Sequence, residues 1–194
     1  MIYEPKWKSL MANTVQPIFA PAQCQDIMNM GHQQKSEKAQ VGHKEKPGGK
    51  YDTKTRITTI SWIPFKVMPD MYRIIERTML QVNRNHFGYE VMQLTESAQF
   101  TEYPKGGFYD WHMDAEVNCQ FEPTVRKISM TILLSDPSEF TGGDLEFMAE
   151  GNKPPQLLQG QAVFFCSMIR HRVAKVKKGM RRSLVMWFGG PPFK

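Results

Sequence analysis

From Lys127 to Leu134 the chain is almost continuously apolar or β-branched, which reads as a strand buried on both faces. After it, turn chemistry returns at short intervals: Asp136-Pro137, Thr141-Gly142-Gly143, Pro154-Pro155 and Gly160. Only short strands fit between such breaks, about Asp144 to Met148, Ala162 to Cys166, His171 to Val176 and Ser183 to Phe188. Strands this short, joined this tightly, predict an antiparallel sandwich or barrel.

The first half reads differently. Gln16-Pro17-Ile18-Phe19 is expected to add an edge strand, and Pro21 opens a packing helix through Cys24, Ile27, Met28 and Met30 to about His32. Residues 33–53 are polar, Lys-rich and end in Pro-Gly-Gly, which predicts a flexible loop long enough to act as a lid over substrate. Arg56 to Ile63 alternates as a strand stopped by Pro64. Asp70 then caps a helix whose apolar face is Met71, Ile74, Ile75, Met79 and Val82, ending near Asn85. Beyond Gly88, Tyr89 to Tyr103 gives one or two more strands. With 194 residues, one domain is the expectation, with helical support over about 1–88 and a sheet core over about 89–190.

Composition narrows the function classes. No run approaches the roughly twenty apolar residues needed to cross a bilayer, and the start lacks a basic-then-apolar leader, so a cytoplasmic protein is expected. Cys24, Cys119 and Cys166 are scattered and odd in number, which argues against a disulfide framework or a thiolate zinc site. The net charge of +6 is concentrated: seven Lys/Arg face three acids between Lys35 and Arg56, and Arg170 to Arg182 holds a second basic run with no acid. Basic surface of this kind attracts dicarboxylates, acidic proteins or nucleic acid.

The chemistry centres on Tyr103 to Asp114, Tyr-Pro-Lys-Gly-Gly-Phe-Tyr-Asp-Trp-His-Met-Asp. In extended backbone His112 and Asp114 face one side, offering an imidazole and a carboxylate to one ion. His171, at the start of a strand in the sheet half, is the candidate third ligand; His32, His43 and His86 lie in or beside the helices and the loop. Two His and one carboxylate suit non-haem Fe(II), and zinc would accept the same set. Ten residues beyond His171, Gly179-Met180-Arg181-Arg182-Ser183 places Arg181 and Ser183 on one face of the last strand, where a guanidinium can clamp a carboxylate.

Taken together these motifs resemble the 2-oxoglutarate- and iron(II)-dependent dioxygenases, and within them the prolyl 4-hydroxylase-like branch. The resemblance spans Tyr103 to Phe188 and includes Thr141 to Leu145, His-X-Val at His171 and Gly-X-Arg-X-Ser. It implies a double-stranded β-helix, a distorted jelly roll backed by helices. It also implies iron on His112, Asp114 and His171, with 2-oxoglutarate held by Arg181, Ser183 and Tyr103. Such enzymes use O2 to hydroxylate an unactivated C–H bond while 2-oxoglutarate becomes succinate and CO2, and ascorbate is the expected reductant. The implied substrate is a proline-containing peptide or protein, with Trp111, Tyr109 and Trp187 offering flat surfaces to a proline ring. The competing readings are the same chemistry on a nucleic-acid base or free amino acid, and a metal-binding jelly-roll module without turnover. The nucleic-acid demethylase branch places its co-substrate Arg further beyond the second His, which argues against it.

Overall fold

The computed structural model describes residues 9–38, 54–115, 124–148 and 153–191. In chain order its strands are Met11–Asn13 (β1), Glu37–Lys38 (β2), Arg56–Ile57 (β3), Thr59–Ile63 (β4), Gln93–Leu94 (β5), Ala98–Tyr103 (β6) and Phe108–His112 (β7). They continue as Val125–Leu133 (β8), Phe140–Gly142 (β9), Leu145–Phe147 (β10), Ala162–Cys166 (β11), His171–Val173 (β12), Val176–Gly179 (β13) and Arg181–Gly190 (β14). Two α-helices, Pro21–Gln33 (α1) and Pro69–Val82 (α2), complete the frame, α2 running on as a π turn over Asn83–Phe87.

The pairing is antiparallel throughout. A large sheet runs β1-β11-β8-β14-β6-β4-β2 with β5 on β14, a smaller one runs β10-β12-β7-β3, and β13 pairs β9. This is the helix-backed antiparallel sandwich expected from the turn spacing. Its layers follow from the period-2 alternation of the strands. One face of the large sheet gives Ile128, Met130, Ile132, Phe164, Leu184, Met186 and Phe188 to a core shared with Ile27 of α1 and Met71, Ile75 and Met79 of α2. Side chains such as Ile75 and Met79 are fully buried, and each contributes about 1.5–3 kcal/mol by leaving water. The other face meets the small sheet across Phe165, Val163, Phe147, Leu145 and Val173, with the rings of Phe147 and Phe165 4.9 Å apart edge to face.

Several local expectations change. The edge strand is Met11–Asn13 rather than 16–19, because Ile18 and Thr14 instead bond back to Gly160 and Ala162 beside the turn that precedes β11. Asp70 does not cap α2: Pro69 starts the helix, Met68 holds the cap position, and Asp70 pairs with Arg73 on the surface of the first turn. The strand expected over 56–63 is two strands in two sheets, broken at Thr58, whose hydroxyl donates to the Glu102 carbonyl at 2.6 Å. His171 to Val176 likewise divides into β12 and β13. Cys24 lies in the helix-backed core and Cys166 is buried; Cys119 and most of the expected lid, 39–53, fall outside the described residues.

Two contacts tie α1 to the sheet. Gly31 lets Phe100 approach so closely that a Cβ there would lie 2.4 Å from Phe100 Cδ1. Beside it, His32 Nε2 and Arg182 Nε meet Glu102 Oε1 at 3.0 and 2.9 Å. Burial pushes the Glu102 carboxyl up, but hydrogen bonds from His32 and Arg182 outweigh it and hold the group below its usual 4.5. A folded value below the unfolded one means stability present above that pH and lost as pH falls through it. Glu102→Gln is therefore expected to flatten the acid limb of the stability curve below about pH 4.5, measured by urea melts against pH. Gly31→Ala is expected to cost about 1–3 kcal/mol in the same assay, since the rigid Phe100 ring must move.

Candidate metal centre

The small sheet builds the centre. β7 and β12 pair with His112 directly opposite His171, and their rings lie 4.2 Å apart. Asp114 sits just past the end of β7, where its backbone N–H and that of Ala115 donate to the Ser167 carbonyl at 3.1 and 2.9 Å. That bend, rather than continued strand, turns the carboxylate onto the two imidazoles. Oδ1 lies 3.5 Å from His112 Nε2 and Oδ2 3.5 Å from His171 Nε2. One ligand atom from each of the three residues falls within 4.8 Å of the others.

The protonation pattern suits a cation. The Nδ1 of His112 lies 2.7 Å from the Asp110 carbonyl and that of His171 3.1 Å from the Ile169 carbonyl, so each Nδ1–H donates and each Nε2 faces the cluster. Burial is the main cause that lowers His171 below 6.5, and nearby His112 adds to it, against the pull of Asp114. Burial alone would raise Asp114, but at the low pH where it titrates a protonated His171, with His112 and a hydrogen bond from Ser129, holds its carboxyl well below the usual range. Two imidazoles and one carboxylate converging in this way fit a divalent iron or zinc ion.

The inner face of the large sheet supplies a second cluster. Arg181 opens β14 opposite Tyr103 of β6, its guanidinium carbon 5.6 Å from the Tyr103 ring centroid. Arg181 Nη1 donates to Ser183 Oγ at 3.1 Å, and all three residues are buried. No carboxylate among the described residues contacts Arg181 directly, and burial lowers its pKa, which the charge of Asp144 only partly offsets. Arg182 points the other way, to Glu102. The glycines of Thr141-Gly142-Gly143 have their reason here: Gly143 has φ +71°, and a Cβ on it would meet Arg181 Cδ at 3.0 Å.

The three expected substrate aromatics lie in distinct settings. Trp111 is half-buried with the Arg172 guanidinium 4.8 Å over its ring. Trp187 is buried under Arg126 at 4.1 Å, and its indole N–H makes no hydrogen bond. Tyr109 stacks on His112 at 3.6 Å while Arg56 lies 4.3 Å over its ring. Two groups that close cannot share one face, so both faces of Tyr109 are covered.

Two inward-facing residues were not singled out from the sequence. Arg56 had been counted in a basic run, yet it is buried and donates to Gln99 Oε1 at 3.3 Å. Gln99, Thr101 and Tyr103 alternate with Ala98 and Phe100 of the core, so strand periodicity could have exposed Gln99.

With this geometry in view, comparison with known proteins is informative. Residues 98–189 match the family model described as the 2OG-Fe(II) oxygenase superfamily. Over its sheet-forming half the chain is thus similar to 2OG-Fe(II) oxygenases. A "PKHD-type hydroxylase" of Shewanella frigidimarina is 33% identical over 92 residues, which are 45% of this chain and 41% of that protein. The matching stretch thus spans about two-fifths of that relative's length. The fold is shared more widely. The viral collagen prolyl hydroxylase of Paramecium Bursaria Chlorella virus-1, solved with 2OG, has a TM-score of 0.69 at 16% identity, covering 94% of this chain and 97% of that one. A Trichoplax adhaerens prolyl hydroxylase, solved with a hypoxia inducible factor peptide fragment, has a TM-score of 0.71 at 16% identity, covering 92% and 83%. The architecture is the jelly roll of 2OG oxygenases.

Removing a direct ligand should lower divalent-metal affinity more than the roughly 10–100-fold typical of losing a supporting contact. Asp114→Ala is expected to show this in Mn(II) titrations. Because the folded chain keeps His171 neutral while the unfolded chain protonates near pH 6.5, this residue's contribution to stability is present above that pH and lost as pH falls below it. Protons compete with metal in the same direction, so affinity for Mn(II) should also decline with falling pH.

Proposed function

We propose that the chain is an Fe(II)- and 2-oxoglutarate-dependent dioxygenase that hydroxylates an unactivated C–H bond of peptidyl proline. The observation that carries this is the pairing of two clusters: His112, Asp114 and His171 as a three-donor set, and Arg181 as a buried cation held by Ser183 with no carboxylate among the described residues in direct contact with it. A metal alone would explain the first cluster. A dicarboxylate that chelates the metal at one end and meets Arg181 at the other explains both. The PKHD-type relative and the prolyl hydroxylase neighbours support the same reading.

In this assignment the bound iron, with O2 and 2-oxoglutarate, supplies the oxidising chemistry, and the net reaction turns C–H into C–OH while 2-oxoglutarate becomes succinate and CO2. The chain positions and shields. His112 and His171 are oriented through their Nδ1–H bonds to Asp110 and Ile169, and Asp114 brings the anionic charge. Arg181 neutralises the far carboxylate of the co-substrate, which would otherwise be buried unpaired at a cost of several kcal/mol. Ser183 fixes the guanidinium from below, and Tyr103 faces it from the neighbouring strand. Phe147 and Phe165, packed around His171, keep water from that side. Trp111 remains the surface assigned to the proline ring, whereas Trp187 is buried under Arg126, and ascorbate remains the reductant.

The test is incubation with Fe(II), 2-oxoglutarate and a panel of proline peptides, following succinate and the mass of one added oxygen. His171→Ala is expected to abolish both. Arg181→Ala should raise the KM for 2-oxoglutarate by about a hundredfold. Addition of oxygen to oligonucleotides and not to peptides would overturn the substrate assignment.

A further inference from the structure

Arg56 is a buried guanidinium that the assignment above does not use. It is 8% exposed, its Nε makes no hydrogen bond, and its side-chain partners are neutral: the Gln99 amide oxygen at 3.3 Å and the face of Tyr109 at 4.3 Å. Tyr109 in turn lies on the metal ligand His112 at 3.6 Å, so Arg56 stands one aromatic ring away from the centre.

The charges around it are otherwise accounted for. Asp114 belongs to the metal, Arg126 is clamped in a bidentate pair by Glu96, and Arg172 pairs with Glu146. Arg181 takes the co-substrate. Arg56 is left with an interior positive charge and an unused donor, and proteins rarely bury either without a partner that arrives later. A neutral carbonyl would fill the donor and leave the charge. A carboxylate would satisfy both, through the charge-assisted geometry to which guanidinium is suited.

Resting on the peptidyl-proline reading, we propose that the substrate carries a carboxylate close to the hydroxylated residue and that Arg56 binds it. The ring's width between Arg56 and His112 places that carboxylate on the reacting residue or its immediate neighbour. Two sources supply the same chemistry: a terminal α-carboxylate, as in a C-terminal or free proline, and the acidic side chain of an adjoining residue.

The experiment uses the full chain and matched substrates: free proline and prolinamide, peptides ending in proline acid or amide, and internal prolines flanked by Glu or Gln. Hydroxylation is measured on each, and binding is measured on the Mn(II)- and 2-oxoglutarate-loaded protein by calorimetry. In the wild type, the acid member of at least one pair is expected to bind at least about tenfold tighter than its neutral twin. The pair that shows it identifies the source. Arg56→Gln should erase the difference, Arg56→Lys should keep part of it, and thermal melts of both variants show whether the fold survives. Hydroxylation of peptides with equal binding of acid and neutral twins would overturn the role of Arg56 while leaving the proline reading intact. So would a preference that persists in a folded Arg56→Gln protein. Intact 2-oxoglutarate binding without hydroxylation of any member would instead overturn the proline reading, and this inference with it.

Discussion

The antiparallel pairing of β7 with β12 is the constraint on which the centre depends. It sets His112 across from His171, two imidazoles that approach only because backbone hydrogen bonds hold their strands in register. A cation between them then becomes favourable, and the bend after His112 delivers the Asp114 carboxylate to complete its donor set. The rest of the molecule keeps this pairing fixed. The Phe147 and Phe165 rings pack around His171, the large sheet stands behind Phe165, and the helices stand behind the large sheet.

Much of this was legible in the sequence because the signals were periodic or chemical. The close spacing of Gly and Pro turns announced the sandwich, and the stripe from Met71 to Val82 announced α2. His112 and His171 could be nominated because they are the histidines of the sheet half, Asp114 because it lies two residues from His112, and Arg181 because it shares a strand face with Ser183. The residues that escaped notice depend on contacts distant in sequence. Nothing local marks Arg56 as buried; that follows from the break at Thr58, which sends the two halves of an apparently continuous strand into different sheets. Tyr109 looked like an open flat surface because neither Arg56 nor the stacking of His112 can be foreseen from its neighbours in the chain. The misplaced cap at Asp70 has a similar origin, since an Asp one position inside the helix is as favourable for the helix dipole as one at its edge.

The division of labour between the two sheets follows from where polar atoms can be afforded. The outer face of the large sheet is apolar and sealed by helices, whereas its inner face carries Gln99, Thr101, Ser129, Thr131, Arg181 and Ser183, all buried. Some of these hydroxyls satisfy each other, as Ser129 and Ser167 do at 2.9 Å. A polar inner wall is a poor core and a good lining for a charged small molecule, and the apolar load lost there is carried by the helix side.

The alternation along β14 has a further meaning for how the protein is made. Arg181, Ser183 and Trp187 face inward, while Leu184, Met186 and Phe188 face the helices. Sliding this strand by one residue against β6 or β8 would drive a guanidinium into oil and leave large apolar side chains among hydroxyls. Such a chain would gain neither the core nor the site. Assembly errors in the last strand therefore cannot yield a stable molecule that lacks the site: the same register that arms the centre is the one that lets the molecule fold.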